Sequence, residues 1–302
     1  MIKFLKFLYL LFNMPRKPVV SGQFYSDDFG ELTNQINDSF HSKFGPGALP
    51  ITKRTKEIFG IIAPHAGYQF SGPGAAWAYK EIAEAKFPDV YIMLGLSHSG
   101  FPSCVSLEDW ETPFGVVKVE QDFQNKLMQN SGLKQNERAH SSEHSIEVQL
   151  PFLQFASKDK LNSIEIAPII VSEDMPYKEI AKAIVKTIKE TKKRAIIIAS
   201  SDFTHYGVNY GYFPFHEKIK ENMYKLDKLA IEHIQNLDAY KFLDYIGKTS
   251  ATICGRIPIA VAIEACKLLG AKKAKLLHYY TSGDILGGDY SSAVGYGAIS
   301  IE

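Results

Sequence analysis

The chain has 302 residues, 45% hydrophobic and 22% charged, with 34 basic against 33 acidic side chains. That composition excludes a disordered tail, a collagen-like repeat and a polytopic membrane protein, and the net charge of +1 gives no bulk reason to expect nucleic acid or an anionic membrane as partner. The three cysteines, Cys104, Cys254 and Cys266, form no C-x-x-C, which argues against a disulfide framework or a four-cysteine zinc site and fits a reducing, cytoplasmic setting.

Residues 1–13, MIKFLKFLYLLFN, are apolar and basic, and Met14 opens a segment of different character. A signal peptide would need a longer apolar region and an A-x-A cleavage site, and a membrane span needs about 20 apolar residues. The segment therefore reads as a dispensable extension ahead of a start at Met14, and residues 14–302 as one domain. No repeat or linker divides them. The stretch from Gly45 to Lys53 is the nearest to a loose connection.

From there strand-like and helix-like segments alternate. Phe59 to Ala63 is an apolar run that ends in Pro64-His65, and Gly74 to Ala85 is small and apolar at helical spacing. Val90 to Leu96 is a second buried run, ending in Ser97-His98, and Val105 to Glu120 has the marks of a hairpin. Ser145 to Phe155 predicts a helix interrupted at Pro151. Ser141 and Ser142 read as its N-cap, which leaves His140 ahead of it and pairs His144 with Glu147 on one face. Ile164 to Val171 and Ala195 to Ala199 are β-branched, and between them Ile180, Ile184 and Ile188 mark a helix face. Ile219, Met223, Leu226, Ala230 and Ile234 make a second such stripe. A helix follows Cys254-Gly255-Arg256, and the chain closes with two strands, Ala274 to Tyr280 and Ser292 to Ile301.

Alternation of this kind predicts an α/β fold, a mostly parallel or mixed central sheet covered by helices on both faces. Such folds bind ligands beyond the carboxyl ends of their strands. Three apolar runs end there in histidine-bearing loops, carrying His65, His98 and Asp202-Phe203-Thr204-His205, the first two on runs read as neighbours. One shared site explains three such loops better than three separate accidents. Phosphate-cradling and nucleophile-elbow motifs are absent. Cys254, just ahead of a helix, gains from the N-terminal dipole, which favours thiolate. Cys104 and Cys266 fit buried apolar positions.

P-H-A-G-Y at 64–68, G-x-S-H at 95–98, E-H-S-I-E-x-x-L-P at 143–151, S-S-D-F-x-H at 200–205 and C-G-R-x-P-I at 254–259 resemble the Memo family. Its bacterial and archaeal members are called AmmeMemoRadiSam system protein B. The likeness runs from Pro15 to the C-terminus in the family's motif order. It implies a fold similar to class III extradiol non-haem iron dioxygenases. It also implies that His65, His98 and Cys254 hold a metal, with His144, Asp202 and His205 lining the same pocket as candidate catalytic groups.

Two imidazoles and one thiolate suit iron or copper, with zinc possible, and leave coordination positions open. Cys254 stands where the dioxygenases place a carboxylate, which counts against aromatic ring cleavage. His144 and His205 are the acid/base candidates. Arg256 either steers an anion towards the metal or forms a structural ion pair.

Three functions compete. The first is a metal-dependent redox protein acting on an unidentified small molecule. The second is a non-catalytic pocket for a peptide or partner protein, a role linked to animal Memo proteins. The third is a Cys254/His205 thiol hydrolase, which needs a free nucleophile. The prokaryotic family name also implies a functional link to a radical-SAM protein and a second small protein.

Overall fold

A computed structural model describes residues 14–51 and 53–302; the extension at 1–13 lies outside the described residues. The first helix, α1 (Phe29–His41), starts where the Asp28 carboxylate accepts from the backbone of Gly30 and Glu31, the usual N-cap arrangement. Then follow β1 (Gly60–Ala63), α2 (Tyr68–Glu84), β2 (Val90–Gly95), β3 (Cys104–Val105), and the hairpin of β4 (Trp110–Thr112) and β5 (Gly115–Val119). The middle of the chain forms α3 (Gln121–Ser131), β6 (Lys134–Gln135), α4 (Glu137–Ser141), α5 (Gln149–Ala156), β7 (Glu165–Ile170), α6 (Tyr177–Thr191) and β8 (Ala195–Ser200). The last third holds β9 (His205–Gly207), α7 (Ile219–Gln235), α8 (Ala239–Thr249), α9 (Arg256–Leu269), β10 (Ala274–Thr281), α10 (Ser282–Ile285) and β11 (Ser292–Ile301).

The central path of the sheet runs β10-β11-β1-β8-β2-β7-β3-β6. Strands β1, β8, β2 and β7 are parallel neighbours, and β11 closes the sheet antiparallel to β1. The sheet is thus mixed, and both faces are covered. Alternate residues sort between two cores. Ile62, Leu94, Ile197 and Ile299 pack with α3, α6, α7, α8 and α9, while Ile61, Met93, Ile198 and Ala298 pack with α1, α2 and α5. The period-2 alternation of strand side chains accounts for this division. Each core strand is buried on both faces, which is why the runs look uniformly apolar in sequence. No helix among the described residues is long and apolar enough to cross a membrane.

Several boundaries differ from the sequence expectation. Helix α2 starts six residues before the Gly74 expected, despite Pro73. Tyr280 of β10 explains it: its hydroxyl donates to the Phe70 carbonyl and accepts from the Gly74 amide, standing in for the helical bond between those two groups. The hairpin is confined to 110–119, and Cys104–Val105 pairs elsewhere, with β6 and β7. Helix α5 begins at Gln149, so Pro151 sits in its first turn, where proline costs little, and interrupts nothing. His140 lies inside α4, and Ser142 is that helix's C-cap, not an N-cap of the next. The two histidine-bearing strands are also not neighbours, because β8 runs between β1 and β2. That insertion brings Asp202 and His205 between the other two loops.

Candidate metal centre

The loops after β1, β8 and β2 leave the sheet at the same rim, as parallel strands require. His65 follows β1 and is 2% exposed. One ring nitrogen, Nδ1, lies 2.9 Å from Ser200 Oγ, and the other, Nε2, lies 3.3 Å from Cys254 Sγ. Ser200 Oγ in turn donates to the Ser145 carbonyl at 2.6 Å. A fixed partner on Nδ1 fixes the ring and leaves Nε2 for a ligand. His98, after β2, is held in the same way: its Nδ1 lies 2.9 Å from Glu143 Oε1, and its amide donates to Oε2 at 2.7 Å.

Two glycines of the quoted motifs have steric reasons. A Cβ on Gly95 would lie 2.6 Å from Ile146 Cγ1, so the 145–146 loop can cross the end of β2 only over a glycine. At Gly255 a Cβ would lie 2.4 Å from both the Ser200 carbonyl and Ser201 Cβ. Glycine there lets the chain press Cys254 against the end of β8, where Asp202 N–H points at Sγ from 3.3 Å.

Asp202 is 3% exposed and accepts from the His65 amide at 2.8 Å. Burial raises its carboxyl above the ordinary range, against the pull of His205. Nδ1 of His205 lies 3.0 Å from the Thr252 carbonyl, so it carries the proton and Nε2 is free. His144 stacks on His98 with centroids 4.4 Å apart, and the Phe24 ring meets its edge at 5.0 Å. Burial, then the neighbouring His98, lowers the His144 pKa. Burial also pushes His98 down, but the hydrogen bond and charge of Glu143 outweigh it and the net shift is upward.

Among the described residues three sets place one donor atom per residue within 4.8 Å of the others: His65, His98 and Cys254; His98, Glu143 and His144; Asp202, His205 and Cys254. The second is a hydrogen-bond network, because Glu143 already serves His98 and the Ser145 amide. In the third, Asp202 Oδ1 is taken by the His65 amide. The first set has its far nitrogens satisfied and its near atoms converging, the arrangement a metal site needs. His65, His98, His144, Asp202 and His205 all line one cleft of about 410 Å³.

Two sequence expectations need correction. Glu147 does not pair with His144; it is fully buried against Arg16. The residue missed was Glu143, next to His144 in the same motif, and only the position of β2 relative to that loop could reveal it. Cys254 is not a thiolate by virtue of the helix start alone, since burial, then the Asp202 charge, pushes its thiol well up. Deprotonation there calls for a cation. Of the two roles considered for Arg256, the ion pair is present, with Glu173 at 2.6 Å. Cys104 and Cys266 are buried apolar residues, as expected.

The same region carries a pH signature. Burial lowers the His140 imidazole from 6.5 to about 3. The unfolded chain therefore binds that proton more readily, and stability is lost as the pH falls from 6.5 towards 3. Thermal melts should drop through that window, and His140→Phe should remove part of the slope. Equal melting temperatures at pH 7 and pH 4 would contradict the assignment.

A family profile described as Memo-like protein matches residues 16–300. A MEMO1 family protein of Methanopyrus kandleri is 38% identical over 291 residues, covering 95% of this chain and 98% of its own. A second, from Nitrosopumilus maritimus, is 40% identical over 292 residues, covering 95% and 99%. A third, from Methanocaldococcus jannaschii, is 36% identical over 298 residues, covering 96% and 100%. The crystal structure of the uncharacterized protein JW3007 from Escherichia coli K12 aligns with TM-score 0.53 at 11% identity, over 82% of this chain and all of that one, a likeness of fold alone. With the profile spanning nearly the whole chain and relatives of equal length at such identity, this chain belongs to the Memo family.

Proposed function

We propose that the chain is a metal-dependent redox protein in which His65, His98 and Cys254 hold iron or copper, zinc being the third metal this donor set accepts. The observation that carries the reading is the convergence of three donors whose outer partners, Ser200 and Glu143, are already in place. Sulfur is soft, so the set favours these metals over magnesium or calcium. When bound, the metal would supply Lewis-acid or one-electron chemistry to a small molecule or dioxygen in the cleft.

The remaining work falls to the chain's own side chains. His144, with its pKa lowered, is neutral near pH 7 and can take a proton from a bound substrate. His205 can do the same through Nε2, its Nδ1–H being given to Thr252. Asp202 holds the His65 loop through the backbone amide. Phe24 and Tyr210 make edge-to-face contacts with His144 and His205, ring centroids 5.0 and 5.1 Å apart, and help hold each ring in place. A thiolate in place of a carboxylate sets the centre apart from ring-cleaving dioxygenases, so ring cleavage forms no part of the proposal. A link to a radical-SAM protein and a second small protein rests on the family's prokaryotic name.

Elemental analysis of anaerobically purified protein should find iron or copper in stoichiometric amount, and a substrate screen should find oxygen uptake. Occupancy should fall on acidification, because protons compete for imidazole and thiolate. Protein that is metal-free as isolated and takes up no metal on reconstitution would defeat the proposal and leave the cleft to the peptide- or partner-binding reading.

A further inference from the structure

The far side of Cys254 and the side chain of Arg256 have no part in that reading. A second cleft of about 570 Å³ opens there, lined by His98, Cys254, Arg256 and Glu173, with Phe101 and Ile257 among its apolar residues. It shares only His98 with the main cleft, and Cys254 lines the second cleft but not the main one. A species entering here approaches sulfur, and one entering the main cleft approaches imidazole.

Charge distinguishes the two clefts. Arg256 is the one lysine or arginine among the described residues lining either of them. Its Nε and Nη2 both donate to a single oxygen of Glu173, at 3.0 and 2.6 Å, rather than forming the two-oxygen fork that guanidinium prefers. The pair is open to solvent, with 41% of the Arg256 side chain and 65% of the Glu173 side chain exposed, so it is weakly held. A neighbouring groove of about 620 Å³ is lined by the same Glu173, Arg256 and Ile257. Asp174 is the other carboxylate of the cleft, with Oδ1 tied to Ser103 at 2.6 and 3.0 Å. Two carboxylates beside one guanidinium repel a dianion more than a monoanion.

We propose that this second cleft binds a small organic monocarboxylate, anchored by Arg256, with Glu173 as the internal carboxylate that occupies the anchor until the ligand displaces it. Apolar walls receive the body of the ligand, and its far end reaches Cys254 and His98. Its anchor, Arg256, lies outside the proposed metal-ligand set, whereas its inner residues, His98 and Cys254, belong to that set.

Calorimetric titration of the full chain with benzoate, benzamide and inorganic phosphate tests this at pH 7. Benzoate should bind, and benzamide, its uncharged counterpart, should not. Glu173→Gln should tighten benzoate by about two- to fivefold, the worth of an exposed ion pair. Arg256→Gln should weaken it by about tenfold or more, the loss of charge-assisted hydrogen bonds. Both changes lie on the surface, and matched melting curves check the fold. Gln69→Ala, an exposed position lining only the main cleft, should leave benzoate binding intact. Benzoate binding unaltered in Arg256→Gln, absent from both parent and Glu173→Gln, or lost in Gln69→Ala would each overturn the proposal. Phosphate binding as tightly as benzoate would do so too.

Discussion

Arg16→Ala is expected to destabilise the protein by about 3–5 kcal/mol, because it leaves a buried carboxylate without its partner. Arg16 and Glu147 are 2% and 0% exposed and 2.5 Å apart. Glu147 also accepts from the Val19 and Val20 amides and from the Tyr25 hydroxyl. Arg16 donates further to the carbonyls of His140 and Glu143, at 3.1 and 2.7 Å, and lies over the Trp110 ring at 4.3 Å. Arg16→Lys should rescue little, since an ammonium cannot reach three partners in the plane of a guanidinium. The consequence extends to the candidate metal centre. This network ties residues 16–25 to the segment carrying Glu143 and His144, so metal affinity should fall along with stability. Urea unfolding and metal titration of the same variant measure both. A change within about 1 kcal/mol of the parent would mean that solvent reaches Glu147 after all.

The second large effect concerns the ligands. His65→Ala, His98→Ala and Cys254→Ser should each nearly abolish metal occupancy, because each removes a direct bond. Glu143→Gln, His144→Ala, Asp202→Ala and His205→Ala should retain metal but lose about 10–100-fold in affinity or activity, the usual effect of outer partners. Cys104→Ser and Cys266→Ser should leave occupancy unchanged. Metal stoichiometry across the set, with folding checked by circular dichroism, gives the answer. Full occupancy in His65→Ala or His98→Ala, with loss in Asp202→Ala and His205→Ala, would move the metal to the set of Asp202, His205 and Cys254.

Much of the fold is local information. Apolar runs of strand length and isoleucines four residues apart made the α/β alternation legible, and α6 buries Ile180, Ile184 and Ile188 as its spacing requires. The rim that carries the histidines follows from the same reading, because parallel strands end on one side. Cys254, His65 and His98 are singled out by motifs, and the glycines of the His98 and Cys254 motifs, Gly95 and Gly255, are places of close approach.

What the sequence could not carry was the identity of partners distant along the chain. The Glu143 carboxylate lies 45 residues from the His98 imidazole it orients, and Glu147 lies 131 from Arg16. Two acidic residues four apart in one motif thus took opposite roles, one serving the site and the other the fold. Helical periodicity predicted His144 beside Glu147, but the segment is a turn ahead of α5, so that spacing had no meaning. The strand order β1-β8-β2 was likewise undetermined, since each of these runs is apolar on both faces and pairs equally well in other orders. Local propensity thus determines which segments are strands and where their loops point. Only packing decides which strand lies between which, and hence which side chains share a site.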